Sequence, residues 1–156
     1  MNITAQEIAE VLGGQSLLGR RVRSTRDLET IISEGIPKDA FDQLIQLLSK
    51  PESDNSVRTK SPLTEFGVQL RTKIVPRATY QRVERFNLQT SETTERIARL
   101  YAMTLSIFED RELARQFLFT PHPELDNRVP FDVALTEIGG RQVEEVIERG
   151  LHGLPA

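Results

Sequence analysis

Thr90-Ser91-Glu92-Thr93-Thr94-Glu95-Arg96-Ile97-Ala98-Arg99-Leu100-Tyr101-Ala102-Met103-Thr104-Leu105-Ser106-Ile107-Phe108 is the longest periodic stretch of the chain. Ile97, Leu100, Tyr101, Thr104, Ile107 and Phe108 recur three and four residues apart, the spacing of one helix face turned to a core. Thr90 or Ser91 is read as its cap. Asp110 restarts the chain as a helix burying Leu113, Ala114, Phe117 and Leu118. Thr120-Pro121-His122-Pro123 is non-helical, because each proline pushes its predecessor out of the α region. Pro130 opens a short helix with Phe131, Val133, Ala134 and Leu135. Thr136 caps a last one carrying Ile138, Val143, Val146 and Ile147 and ending at Gly150.

Upstream, Thr4 with Glu7 and Ser24 with Asp27 have capping-box spacing. The first starts a short helix burying Ile8, Val11 and Leu12 and ending at Gly13-Gly14. The second starts a helix through Leu28, Ile31 and Ile32 that stops at Gly35. Between them Gln15 to Arg23 reads as a connector carrying Arg20, Arg21 and Arg23. Pro37 suits the first position of a helix burying Phe41, Leu44, Ile45 and Leu48. Lys50 to Ser61 (KPESDNSVRTKS) is polar and almost free of apolar residues, and reads as a flexible linker. Ser61-Pro62 then opens a segment with Leu63, Phe66 and Leu70 inward. Thr72 to Val75 connects it to Pro76 and a second helix running to about Phe86. No stretch alternates with a two-residue period between hairpin turns, so the fold class is all-α, a helical bundle.

The composition narrows the function. The chain has 156 residues, 38% hydrophobic and 28% charged, as in a soluble globular protein. No apolar run is long enough to span a bilayer, and the first residues lack a secretion signal, so a cytoplasmic protein without membrane contact is expected. Without cysteine there is neither a disulfide framework nor a thiolate metal site. His122 and His152, thirty residues apart and each beside Pro or Gly, read as surface histidines. No phosphate loop, nucleophile elbow or metal cluster is present, so neither a cofactor nor an enzymatic activity is expected. Gly139-Gly140 inside a helix costs about 1 kcal/mol each relative to Ala, which predicts close approach of another backbone.

The net charge of −3 hides an asymmetry. Arg71, Lys73, Arg77, Arg82 and Arg85 face a single acid, Glu84, whereas Asp132 to Arg149 is mostly acidic. A basic middle and an acidic end suggest two kinds of partner; the alternative is two solvated helix faces. Two short helices, the second rich in arginine, are what a helix-turn-helix DNA reader needs, because its second helix must lie in the major groove. With Tyr80 or Val83 and Phe86 inward, Arg77, Thr79, Gln81, Arg82 and Arg85 point outward. There Arg pairs with guanine or phosphate and Gln with adenine. An ordinary surface helix can carry the same arginines, so this segment alone also fits a solvated face.

Arg115 to Asp132 (RQFLFTPHPELDNRVPFD) and Thr136 to Gly150 (TEIGGRQVEEVIERG) resemble the toxin-binding domain shared by the Xre, MbcA and ParS antitoxins. Thr79 to Arg82 and Leu88 to Leu100 resemble the Xre-like helix-turn-helix upstream of that domain. Val11 to Pro37 is similar to the N-terminal part of antitoxins paired with RES-domain toxins. Phe117 stands where the family commonly has tryptophan. Threonines replace the usual Ser-x-Arg spacing near Thr93 and Thr94, and Lys50 to Ser61 is an expanded linker.

The resemblance implies an N-terminal helical or dimerisation region (1–49), a linker (50–61), an Xre-like helix-turn-helix region (62–108) and a toxin-binding domain (109–156). It implies a protein that neutralises a RES-domain toxin, which degrades NAD or transfers ADP-ribose, by covering its active site. It also implies a dimer that binds its own promoter DNA and represses it. Carried over by position, the toxin contacts are Leu125, Arg128, Pro130, Gly139, Arg141, Glu144, Arg149, Leu151, His152, Leu154, Pro155 and Ala156. The competing readings are a stand-alone helix-turn-helix regulator with a helical oligomerisation tail and, behind it, a small enzyme.

Overall fold

The computed structural model describes residues 2–49 and 63–151, the last for its backbone alone. Among the described residues there are ten α-helices, one 3-10 turn and no strand. The chain divides into two compact units, Thr4–Glu95 and Arg96–Ala156 with Met1–Ile3.

The N-terminal unit begins with α1 (Ala5–Val11). The Thr4 hydroxyl accepts the Glu7 N–H at 3.1 Å and the Glu7 carboxylate accepts the Thr4 N–H at 2.7 Å, so the predicted capping box is formed. The expected connector after it holds a further helix, α2 (Gly14–Leu18), which buries Leu18. The second capping box starts α3 (Thr25–Glu34), with Ser24 and Asp27 exchanging backbone bonds at 3.2 Å each.

At Gly35 the chain leaves α3 with φ +99°, and a Cβ there would lie 2.5 Å from the Phe86 carbonyl oxygen, so only glycine fits. Pro37 sits one residue before α4 (Lys38–Ser49), its carbonyl accepting from Ala40 and Phe41. α4 is the centre of this unit, with Ala40, Phe41, Leu44, Ile45 and Leu48 wholly buried.

Across from it lie α5 (Glu65–Ile74) and α6 (Arg77–Arg82). The linker and the Ser61-Pro62 start fall outside the described residues; α5 is capped by Thr64, whose hydroxyl accepts the Gly67 N–H at 3.0 Å. Leu70 is buried, while Phe66, expected inward, is 37% exposed. α6 stops at Arg82, short of Phe86, because the backbone turns extended at Val83. There Glu84 accepts from Lys38 N–H and Phe86 donates to Ile36, tying the loop to the start of α4. Phe86 is buried against Phe41, ring centroids 4.9 Å apart.

The long helix α7 (Leu88–Phe108) runs from this unit into the next. Its cap is Asn87, whose side-chain oxygen accepts the Thr90 N–H at 2.9 Å, and not Thr90 or Ser91. Ser91 is buried one turn inside, its hydroxyl accepting the Ile36 N–H at 2.9 Å and donating to the Phe86 carbonyl.

The C-terminal unit packs α8 (Arg111–Phe119), a 3-10 turn (Pro123–Leu125), α9 (Pro130–Val133) and α10 (Glu137–Leu151) with the second half of α7. Asp110 and Thr136 cap α8 and α10 as read from sequence, and α10 continues one residue beyond Gly150. Ile97, Leu100, Tyr101, Leu118, Leu125, Phe131, Val143, Val146 and Ile147 are buried. Three expected core residues are not: Phe108 is 39%, Leu113 45% and Ile138 71% exposed. Gly139 lies so close to the Val133 carbonyl that a Cβ would overlap it, and a Cβ on Gly140 would sit 2.5 Å from Arg96 Cδ. The predicted close approach is therefore to backbone at Gly139 and to a buried arginine at Gly140. Arg96 donates to the Ala134 carbonyl at 3.2 Å and pairs with Glu137 at 3.6 Å, fixing the α9–α10 turn against α7.

Candidate functional site

In the N-terminal unit the seven residues expected to meet DNA fall into three groups. α5 and α6 are joined by Val75 and Pro76 alone, both with extended backbone, because a residue before proline is held out of the α region. This makes a tight helix-turn-helix corner, shorter than the four-residue connector expected. Arg77, Gln81 and Arg82 are exposed on α6 and have no side-chain partner among the described residues. Thr79 is half-buried beside them.

Arg71, Lys73 and Arg85 are engaged. Lys73 has a partner within the fold. Arg85 donates to the Gly35 carbonyl at 3.0 Å while keeping an exposed side chain. Arg71 lies over the Tyr80 ring, its guanidinium carbon 4.3 Å from the centroid.

Tyr80 explains how a six-residue helix with no buried residue and no side-chain cap is held at all. Its ring lies near Phe41 and Phe86, at 6.2 and 6.4 Å, and a second cation, Lys38, stands 4.4 Å from its centroid. Its hydroxyl donates to the Asp42 carboxylate, 2.8 and 3.0 Å from the two oxygens. Burial pushes the Tyr80 phenol up to about 12, helped by the bond to Asp42, so the hydroxyl stays a donor. Burial also raises the Asp42 carboxyl above its ordinary value, against the opposing effect of the Tyr80 hydrogen bond. Sequence reasoning missed Lys38 and Asp42. They share a face of α4 at i, i+4, but nothing local ties them to a tyrosine 38 residues on.

In the C-terminal unit the expected contact residues are also sorted by burial. Leu125, Pro130 and Gly139 are buried and build the fold of the turn region. Arg128, Arg141, Glu144 and Arg149 reach the surface, each with a partner. Arg128 bonds the Leu125 carbonyl (2.9 Å) and Gln142 (3.3 Å), and Arg141 pairs with Glu137 (3.3 Å). Glu144 pairs with Arg99 (3.2 Å), and Arg149 with Glu124 (2.9 Å). The Leu151 side chain, His152, Leu154, Pro155 and Ala156 lie outside the described residues. The outer face of α10 thus presents Glu137, Ile138, Arg141, Gln142, Glu145 and Glu148, an isolated apolar side chain within a charged ring.

A second exposed feature was not foreseen. Phe108, Leu113, Phe117, Thr120, Pro121 and His122 line an open groove of about 320 Å³ with Gln116. His122, expected on the surface, is buried. Its Nδ1 accepts the Glu124 N–H at 3.1 Å and its ring meets Phe117 at 5.8 Å, so its position serves the turn. Among the described residues no group of three or more His, Cys, Asp or Glu could hold a metal ion, and no helix is long and apolar enough to cross a membrane.

Comparison with curated proteins gives no match. Residues 104–153 match the family model of the antitoxin Xre/MbcA/ParS C-terminal toxin-binding domain. That span takes in the end of α7, the groove, the 3-10 turn and α10. Residues 104–153 are therefore an Xre-type antitoxin toxin-binding domain, and the match supports an antitoxin role in a toxin–antitoxin pair.

Proposed function

We propose, from the premise that residues 104–153 are an antitoxin toxin-binding domain, that this chain neutralises a RES-domain toxin and represses its own operon. The family match is the observation that carries the reading. In it, the charged outer face of α10 and the residues after it cover the toxin's active-site cleft. An anionic helix suits a cleft built for an anionic dinucleotide and lined by basic groups. Ile138 is the apolar anchor at the centre of that contact, ringed by Glu137, Arg141 and Gln142 as binding hot spots are ringed by polar groups.

The DNA-reading part of the proposal rests on α5 and α6. Arg77, Gln81 and Arg82 stand exposed and unengaged on a short second helix, where side chains can enter a major groove. Two copies would present two such helices to two half-sites, so we include a homodimer in the reading.

Co-expression tests it. The product of the adjacent reading frame should arrest growth and deplete NAD when induced alone, and both effects should disappear when this chain is supplied. Growth arrest that persists, with no complex isolated between the two purified proteins, refutes the reading.

A further inference from the structure

The connector between α2 and α3, with the first turn of α3, carries a run of arginines that the proposed reading has not used: Arg20, Arg21, Arg23 and Arg26 within seven residues. Two contacts fix where it lies. Arg20 pairs with Glu34 at the last turn of α3, at 3.6 Å, whereas the Arg23 N–H bonds Asp27 at the first turn, at 2.8 Å. The connector therefore runs back along α3 from its end to its beginning. Val22 is buried, so Arg21 and Arg23 on either side of it point outward together.

Among the described residues Arg21, Arg23 and Arg26 have no acidic partner and are exposed. The nearby acids are mostly occupied: Asp27 caps α3, with its carboxyl held low chiefly by the Arg23 N–H, and Glu34 holds Arg20. Of the acids on α3, Glu29 alone is left against these three guanidinium groups.

One end of the strip lies near the segment that follows α6. Arg85 bonds the carbonyl of Gly35, the residue after Glu34, so Arg85 and Arg20 are each anchored at the C-terminal end of α3. Arg26 lies eight residues back along the helix, about 12 Å at 1.5 Å per residue. That is close to the width of a DNA major groove, a spacing that would let the far arginines meet a row of phosphates separate from the one α6 would meet. Arginine's fork of donors matches phosphate oxygens in pairs, which favours a polyphosphate backbone over a diffuse acidic surface.

We infer that Arg21, Arg23 and Arg26 form a phosphate clamp that grips the DNA backbone beyond the reading helix. The inference rests on the DNA-reading proposal, and the test separates the two. Full-length protein is titrated against a duplex from upstream of its own reading frame and against a scrambled duplex of equal length, over a range of salt. R21A/R23A/R26A should lose affinity for both duplexes by the same factor. Its slope of log K against log salt should become shallower by about 2.7, roughly 0.9 for each phosphate that is no longer neutralised. R21K/R23K/R26K, which keeps the charge, should recover most of that slope, and a wild-type urea midpoint for R21A/R23A/R26A shows that the alanine variant is folded. The ratio between the two duplexes should stay at its wild-type value, because phosphate contacts carry no sequence information.

An unchanged slope in the alanine variant, with wild-type protein binding normally, overturns the clamp and leaves α6 as the sole DNA contact. Loss of toxin capture with DNA binding intact also overturns it, and makes the strip a protein interface. Wild-type protein that binds neither duplex removes the DNA-reading proposal itself.

Discussion

Replacing Tyr80 tests whether α6 is held by one side chain. Tyr80→Phe removes only the hydroxyl, which donates to the Asp42 carboxylate at 2.8 and 3.0 Å. A hydrogen bond to a charged group contributes about 1.5–3 kcal/mol, and because this pair is only part-buried the lower part of that range, about 1.5 kcal/mol, is expected. Tyr80→Ala also removes the ring that Lys38 and Arg71 cover and that approaches Phe41 and Phe86. Truncating a fully buried aromatic costs about 3–5 kcal/mol; for a half-buried ring we expect about 3 kcal/mol with the hydroxyl included.

Urea unfolding checks both values. At a slope near 2 kcal/mol/M the Phe variant should melt about 0.8 M earlier and the Ala variant about 1.5 M earlier. Hydrogen exchange adds the location, since amides of Arg77–Arg82 should lose protection before those of α4. The Tyr80→Phe, Asp42→Asn double-mutant cycle should give a coupling of about 1 kcal/mol, because Asn still accepts a hydrogen bond and needs no charge buried. A Tyr80→Ala protein that melts within about 0.5 kcal/mol of wild type, with α6 protection intact, refutes the reasoning.

Four other outcomes follow from contacts elsewhere. The Asp42 carboxyl is raised in the folded state, so it favours folding below its ordinary value of 3.8 and loses that contribution as pH rises through the folded value. Wild type should therefore gain stability relative to Asp42→Asn as pH falls through that window, read as the difference between two denaturation series. Gly139→Ala should destabilise by about 3 kcal/mol or more, because the Val133 carbonyl it meets is backbone, while Gly140→Ala should cost about 1–2 kcal/mol, as Arg96 can shift at the expense of its bond to Ala134; thermal unfolding at about 2–4 °C per kcal/mol resolves the two. The Tyr101 hydroxyl is buried with no hydrogen-bond partner among the described residues, so Tyr101→Phe should raise stability by about 1 kcal/mol in the same assay. Ile138→Ala should leave the melting temperature within about 0.5 kcal/mol of wild type yet weaken capture of the toxin at least tenfold by surface plasmon resonance.

Local signals in the sequence were enough for much of the fold. Thr4, Ser24, Asp110 and Thr136 are caps because their partners lie three residues away, and all four caps form. Gly139-Gly140 announced a close approach because two glycines in a helix have a cost that needs a return. The errors arise where the deciding partner is distant. Asn87, and not Thr90 or Ser91, caps α7, since Ser91 is needed 55 residues back at Ile36. Helix geometry could have caught two more. At 100° per residue Ile138 lies about 140° from Val143, and Leu113 lies about 140° from Leu118, so neither belongs to the buried stripe of its helix. Counting apolar residues as inward, without placing them on the wheel, hid the exposed Ile138 on α10 and the groove beside α8.

The same distinction governs the site. A sequence gives the number of cations, but their availability depends on which are already committed to the fold. The basic middle segment supplied Arg71, Lys73, Arg77, Arg82 and Arg85 as equals. The fold commits Arg71 to Tyr80 and ties Arg85 to Gly35, and leaves Arg77 and Arg82 open. In the connector before α3, which looked like a mere link, Arg20 is committed to Glu34, while Arg21 and Arg23 there and Arg26 in the first turn of α3 are open. Committed cations hold the scaffold, so Arg71→Ala should act like a weaker Tyr80→Ala, lowering stability and DNA affinity together. Open cations act on the partner alone, so Arg77→Ala and Arg82→Ala should lower DNA affinity with no change in the urea midpoint. A shift of that midpoint by either of the last two would mean that α6 has been placed facing the wrong way.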